Sequence, residues 1–266
     1  MRVRPDMEIG LLMLAGGVAA GLFGSLLGLG GGLLIVPLLT IGFGLPLRES
    51  VGVSLVCVIV TSSAAAGVFL ERRQADLRLG MTLELFTAMG AIAGGLVAFL
   101  LDERVLAALF ALLLLYVAFT MARAPSPGGG AASRDAVRPS GPPYRNMPGA
   151  LVGSVAAGVF SALLGVGGGT VKVPVMHLLM GIPLRVATAT SNLMIGITAS
   201  ASAFVYLLRG GIDVYAVGPT AVGVFIGATI GSRFGGRVGV RVLRLLFVAV
   251  LLFTAFEMAR RALFGS

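Results

Sequence analysis

The sequence predicts an all-α integral membrane protein made of two homologous repeats, each of about four hydrophobic segments. Three observations predict it. The 266 residues are 57% hydrophobic and only 12% charged, with a mean hydropathy of +1.02, whereas an ordinary soluble domain carries roughly a quarter charged residues. Long apolar stretches follow one another, and a helix needs roughly 20 such residues to cross a hydrocarbon core of about 30 Å. Positions 16 to 123 align without a gap on positions 153 to 260, and about 42 of the 108 pairs are identical.

In chain order, residues 9 to 47 carry no charge, residues 50 to 70 carry none, 79 to 101 hold one acid, Glu84, and a further span fits 105 to 121. The second series runs over 147 to 184 with one base, Lys172, then 186 to 208 without charge, then 214 to 232 and 240 to 258. The assigned units are a first membrane repeat at 1-122, a linker at 123-148 rich in Pro, Gly and Ser, and a second membrane repeat at 149-266. The opening segment of each repeat is nearly twice the length of one crossing and is interrupted by glycines. Gly28, Gly30, Gly31 and Gly32 match Gly165, Gly167, Gly168 and Gly169, and Pro37 matches Pro174. Each such glycine costs a helix about 1 kcal/mol relative to Ala, and proline removes a backbone donor. The expectation is a helix running in, a glycine turn, and a short helix running back. A hairpin that returns to its own side leaves an odd number of crossings per unit, which makes inverted repeats the preferred arrangement.

Charge and cysteine usage exclude several function classes. The net charge of +9 comes from arginines at the ends of apolar segments, which fits the basic loops of a membrane topology and not the single basic face of a nucleic-acid binder. Cys57 is the one cysteine, so there is no disulfide framework or cysteine metal site. The first apolar stretch is too long for a signal-peptide core and reads as a retained membrane segment. Neither glycine cluster has the pattern of a dinucleotide or phosphate-binding loop, and no nucleophile elbow or HExxH run occurs. No cofactor, no metal and no catalytic residue are expected.

At membrane depth a broken helix is tolerated where protein or a watery cavity satisfies the freed backbone groups, and a helix N-terminus presents free N–H groups to an anion. Gly30, Gly31 and Gly32 with Gly167, Gly168 and Gly169 are therefore candidates for binding a small anion, against a plainer reading as helix-packing seams. That plainer reading is preferred for pairs four apart, such as Gly17 with Gly21 and Gly227 with Gly231. Lys172, matched by Ile35, is a candidate cation for the same site, weighed evenly against a lysine that snorkels to the interface. Thr188, Thr190, Ser191 and Asn192, together with Ser54 of the first repeat, offer further donors, although Ser and Thr also bond their own helix carbonyls. Glu84, matched by Ala221, reads equally as a proton relay or as an interfacial carboxylate. His177 lacks companions at metal-ligand spacing and reads as a packed or pore-facing residue.

The paired stretches GLFGSLLGLGGGLLIVPLL and GVFSALLGVGGGTVKVPVM, the latter followed by GIPLRVATATSN, resemble the signatures of the sulfite exporter TauE/SafE family. The resemblance spans nearly the whole chain. It implies a multi-pass carrier of the bacterial inner membrane that moves sulfite or related sulfur-containing anions, commonly outward. Its glycine-proline signature falls on Gly28 to Pro37 and Gly165 to Pro174, and its polar stretch on Thr188 to Asn192. The leading expectation is a secondary transporter, with a small anionic substrate and the lipid bilayer as partners and the proton as candidate coupling ion. A passive anion channel and a membrane scaffold without transport are the alternatives, and a homo-oligomeric state is left open.

Overall fold

The computed structural model describes residues 7–27, 31–71, 75–123, 146–234 and 240–264. The described residues form helices: α1 (Met7–Leu27), α2 (Gly32–Pro37), α3 (Leu47–Glu71), α4 (Leu77–Ala98) and α5 (Glu103–Arg123), then α6 (Met147–Leu164), α7 (Gly169–Pro174), α8 (Leu184–Leu208), α9 (Val214–Phe234) and α10 (Val240–Phe264). Wider π-helical turns, Leu38–Gly42 and Val175–Leu179, continue α2 and α7. Six of the helices are long and apolar enough to cross a membrane, namely α1, α4, α5, α6, α8 and α9. Most of the assigned linker, residues 124–145, lies outside the described residues, as does Gly30.

The chain breaks where the glycines fall. Gly31, at φ 76°, and Gly168, at φ 75°, are left-handed residues that start α2 and α7, a conformation that a side chain disfavours and glycine adopts freely. Both short helices end in a proline, which lacks the N–H an α-helical turn would use, and the wider π turn begins at the next residue. The turns close alike, Leu45 N on Leu39 O and Ile182 N on Met176 O, each at 3.1 Å.

Each short helix runs back along the helix before it. A Cβ built on Gly168 would lie 3.1 Å from the carbonyl oxygen of Ala157, while one on Gly153 would lie 2.9 Å from Val175. Going forward along α7 therefore means going backward along α6. In the first half, Gly31 faces Ala20 and Gly16 faces Leu38 in the same sense.

Helix starts are fixed by side chains. Asp76 accepts from Leu79 N at 3.1 Å to cap α4, and Asp213 accepts from Tyr215 N at 2.9 Å at the head of α9. Such caps satisfy donors that no intrahelical carbonyl can reach. The bundle is assembled from pairs that join the two halves: α1 packs on α9, α4 on α6, α5 on α10 and α3 on α8. Glycine seams let the first two pairs approach closely. Gly17 and Gly21 meet the backbone of α9, Gly223 and Gly227 meet that of α1, Gly90 and Gly94 meet Val155 and Val159, and Gly158 meets Thr87 and Ala91. The packing reading of Gly17 and Gly21 and of Gly227 holds. Between the seams lies a core that includes Leu33, Leu55, Phe110, Leu163, Tyr206 and Phe247. Large apolar side chains such as Leu85, Leu112, Phe204 and Phe253 face outward, the surface expected against lipid.

A Cβ at Gly158 would overlap the carbonyl of Thr87, so Gly158→Val should lower stability by about 3 kcal/mol. Its thermal unfolding in detergent should shift down by several degrees, whereas Gly10→Ala, where a Cβ meets nothing, should melt like the parent.

Candidate functional site

The two glycine turns meet each other. A Cβ on Gly32 would lie 2.6 Å from the carbonyl oxygen of Gly165. The hydroxyl of Ser54, on α3, donates to that same carbonyl at 2.7 Å and lies 3.3 Å from Gly32 O. Gly31, Gly32 and residues 165 to 168 are all buried. The carbonyls of Gly32 and Gly165 are thus answered by protein, and Ser54 is occupied in doing so.

Beside the second turn is a cavity of about 270 Å³, walled by α5, α7 and α8. Gly169 and Thr170 reach it from the start of α7, and Thr188, Ser191 and Asn192 from α8, with Val117, Val173 and Ile195 as apolar walls. Helical spacing explains the α8 contribution, because positions i, i+3 and i+4 share one face. The first carbonyl used by α7 is that of Gly168, bonded to the amides of Val171 and Lys172 at 3.2 and 3.0 Å. The amides of Gly169 and Thr170 come before those bonds, the position at which helix N–H groups are left without an intrahelical partner. The hydroxyl of Ser191 is buried and has no hydrogen-bond partner, while the amide of Asn192 donates to Thr188 O at 2.9 Å. No charged residue lines this cavity. A larger space, about 710 Å³, opens among Thr40, Asp102, Glu103, Arg104 and Arg261, at the start of α5 and the end of α10.

Other candidate residues fall elsewhere. Gly167 packs against Val58 and Ile195, and Gly168 against Ala157, Ser161 and Lys172. The hydroxyl of Thr190 accepts the amide of Asp76 at 2.9 Å, which ties α8 to the head of α4 and turns that side chain away from the cavity. His177 is exposed on its π-helical turn, with Nδ1 2.8 Å from Ile182 O, so the packed reading does not hold. Among the described residues no group of His, Cys, Asp and Glu could hold a metal ion.

Lys172 and Glu84 require a correction. Lys172 is neither a lone cation nor a snorkelling one: it is 2% exposed, and its Nζ lies 3.0 Å from Glu84 Oε2. Glu84 is 4% exposed, so the interfacial reading is overturned as well. Thr198, which the sequence reading missed, completes the cluster. Its hydroxyl accepts from Lys172 and donates to Glu84 Oε1 at 2.6 Å. Burial explains the pairing, since an isolated charge in such surroundings costs several kcal/mol and a partner with satisfied hydrogen bonds offsets most of it. The signal for it was present, as two opposite charges stood alone in otherwise uncharged spans, matched by Ile35 and Ala221 in the other repeat.

Removing one partner strands the other, so Lys172→Ile or Glu84→Ala alone should each destabilise the protein by about 3–5 kcal/mol. The double variant carries the residues that the other repeat has at these positions and should recover most of the loss. Thermal unfolding of the three purified proteins checks this, and a double variant no more stable than either single one would refute it.

Comparison with known proteins points to a membrane transporter. The family model described as Sulfite exporter TauE/SafE matches residues 13–258. The probable membrane transporter protein YunE of Bacillus subtilis is 27% identical over 212 residues, covering 74% of this chain and 78% of its own length. A probable membrane transporter protein of Methanocaldococcus jannaschii is 27% identical over 202 residues, covering 74% of this chain and 72% of its own length. No solved structure matches the chain.

Proposed function

The chain belongs to the sulfite exporter TauE/SafE family, and from that premise we propose that it is a secondary transporter for a small anion. The substrate class is a sulfur oxyanion or organosulfonate such as sulfite, carried outward across the bacterial inner membrane. One observation carries the reading: the buried, unpartnered hydroxyl of Ser191 lines a cavity beside the amides of Gly169 and Thr170. Donors without acceptors in a confined space suit an anionic guest, which supplies acceptors only. The volume, about 270 Å³, accommodates a tetrahedral or pyramidal sulfur oxyanion together with water.

Transport also requires that the site be reached from both sides. The helix order of residues 7–123 recurs in residues 146–264, down to the π turn after each proline. The pairing of α1 with α9 has its counterpart in α6 with α4, as a twofold relation between repeats demands. Each half has four long helices. With α1 and α6 taken as the outgoing arms of hairpins whose short helices return to the same side, α3 to α5 and α8 to α10 are left to cross, and an odd number per half supports inverted repeats. Two such halves rocking about the touching glycine turns would open the cavity alternately to either side.

Sulfite loaded into proteoliposomes should leave at a saturable rate. Ser191→Ala should raise the KM for sulfite about tenfold, whereas Ser200→Ala, whose exposed hydroxyl bonds Gly196 O, should behave as wild type. Equal flux through the Ser191 and Ser200 variants would remove the site assignment, and linear, non-saturating flux would favour a channel.

A further inference from the structure

The cavity assigned above to an anion has no cation in its walls, yet the short helix that forms one wall carries Lys172 on another side. Lys172 is neutralised by Glu84, and Thr198 orders both. We propose that Glu84 is the proton-binding residue of the carrier and sets anion affinity by deciding whether the charge of Lys172 is cancelled. This rests on the anion-carrier reading and names its coupling site.

The balance of the step is simple. A proton from solution adds to a carboxylate oxygen of Glu84, giving the carboxylic acid, while Lys172 keeps its ammonium proton. The cluster passes from neutral to one positive charge. An anion held at Ser191 and the amides of Gly169 and Thr170 then offsets that charge, and binding is favoured. Linkage makes the effect mutual, so that the bound anion raises the affinity of Glu84 for its proton. A dianion leaving the cytoplasm with one proton carries one net negative charge outward, the direction an inside-negative potential favours. The coupling is thus compatible with export.

Among the described residues, the other buried carboxylate on α4 is Asp76 at its head, where it accepts from Leu79 N at 3.1 Å. Helix α6 contains no ionisable residue. On α8 the ionisable residues are Arg185, near its first turn, and Tyr206, whose hydroxyl donates to Ala162 O at 3.0 Å. The chain after α7 adds His177, engaged by Ile182 O, and on α4 itself Arg78 is exposed. The repeat provides an internal contrast, because Ile35 and Ala221 stand where Lys172 and Glu84 would be. A pair present in only one of two homologous positions is not needed for the hairpin to pack.

The test is binding of thiosulfate, a sulfur oxyanion of constant charge from mildly acidic to mildly alkaline pH, by isothermal titration of the purified protein. Wild-type affinity should fall roughly tenfold as pH rises through the titration of Glu84. Glu84→Gln, which keeps a hydrogen-bonding group beside Thr198 and leaves Lys172 uncancelled, should hold the acid-side affinity at every pH. The double variant Glu84→Ala with Lys172→Ile should bind weakly and without pH dependence, and it carries the test if the single variant does not fold. A Glu84→Gln protein, or the double variant in its place, that keeps the wild-type pH profile would overturn the proposal. So would a wild type that binds thiosulfate equally at all pH, with the anion-carrier reading left standing. A wild type that binds neither thiosulfate nor sulfite overturns that reading, and the coupling with it.

Discussion

The structure is governed by what must happen to a polypeptide backbone when a helix is interrupted among apolar surroundings. N–H and C=O groups that lose their helical partners there have no water to turn to, and each one left unanswered costs several kcal/mol. The chain meets this demand by bringing its two interruptions together. Gly32 lies against the carbonyl of Gly165, and Ser54 bonds across the contact. A side chain at Gly32 would press on the carbonyl of Gly165, so glycine there permits the meeting, while Gly31, Gly167 and Gly168 supply the left-handed backbone of the turns. Nearly everything else, from the seams between α1 and α9 to the cavity beside α7, is arranged around that junction.

Much of this was written in the sequence in local terms. Glycine and proline act on their own few residues, so the breaks at Gly31 and Gly168 and the π turns after Pro37 and Pro174 lie where the letters put them. The excess length of the opening segments likewise signalled a chain that doubles back. The polar run from Thr188 to Asn192 was legible as a site but not as a geometry. Successive residues on a helix point about 100° apart, and Thr190 accordingly turns to α4 while Thr188, Ser191 and Asn192 share the cavity face.

The charged cluster was hidden for a different reason. Lys172 and Glu84 are 88 residues apart, and nothing local to either names the other. What the sequence did contain was an energetic imbalance, namely two lone charges of opposite sign in spans that could not afford them singly. Thr198 had no such mark, since threonine occurs freely in membrane helices and its role appears only when three elements converge. Ser54 was misleading in a related way: conserved between the repeats as a serine, it belongs to the scaffold that closes the junction, whereas its counterpart Ser191 keeps a hydroxyl in reserve.

The cluster also makes the two halves depend on each other. Its acid comes from the first repeat and its base from the second. Two copies of the first repeat alone would bury carboxylates with no ammonium to meet them, and two copies of the second would bury ammonium groups with no carboxylate. A dimer of two identical halves would therefore leave like charges buried unpaired, whereas the single chain brings acid and base together.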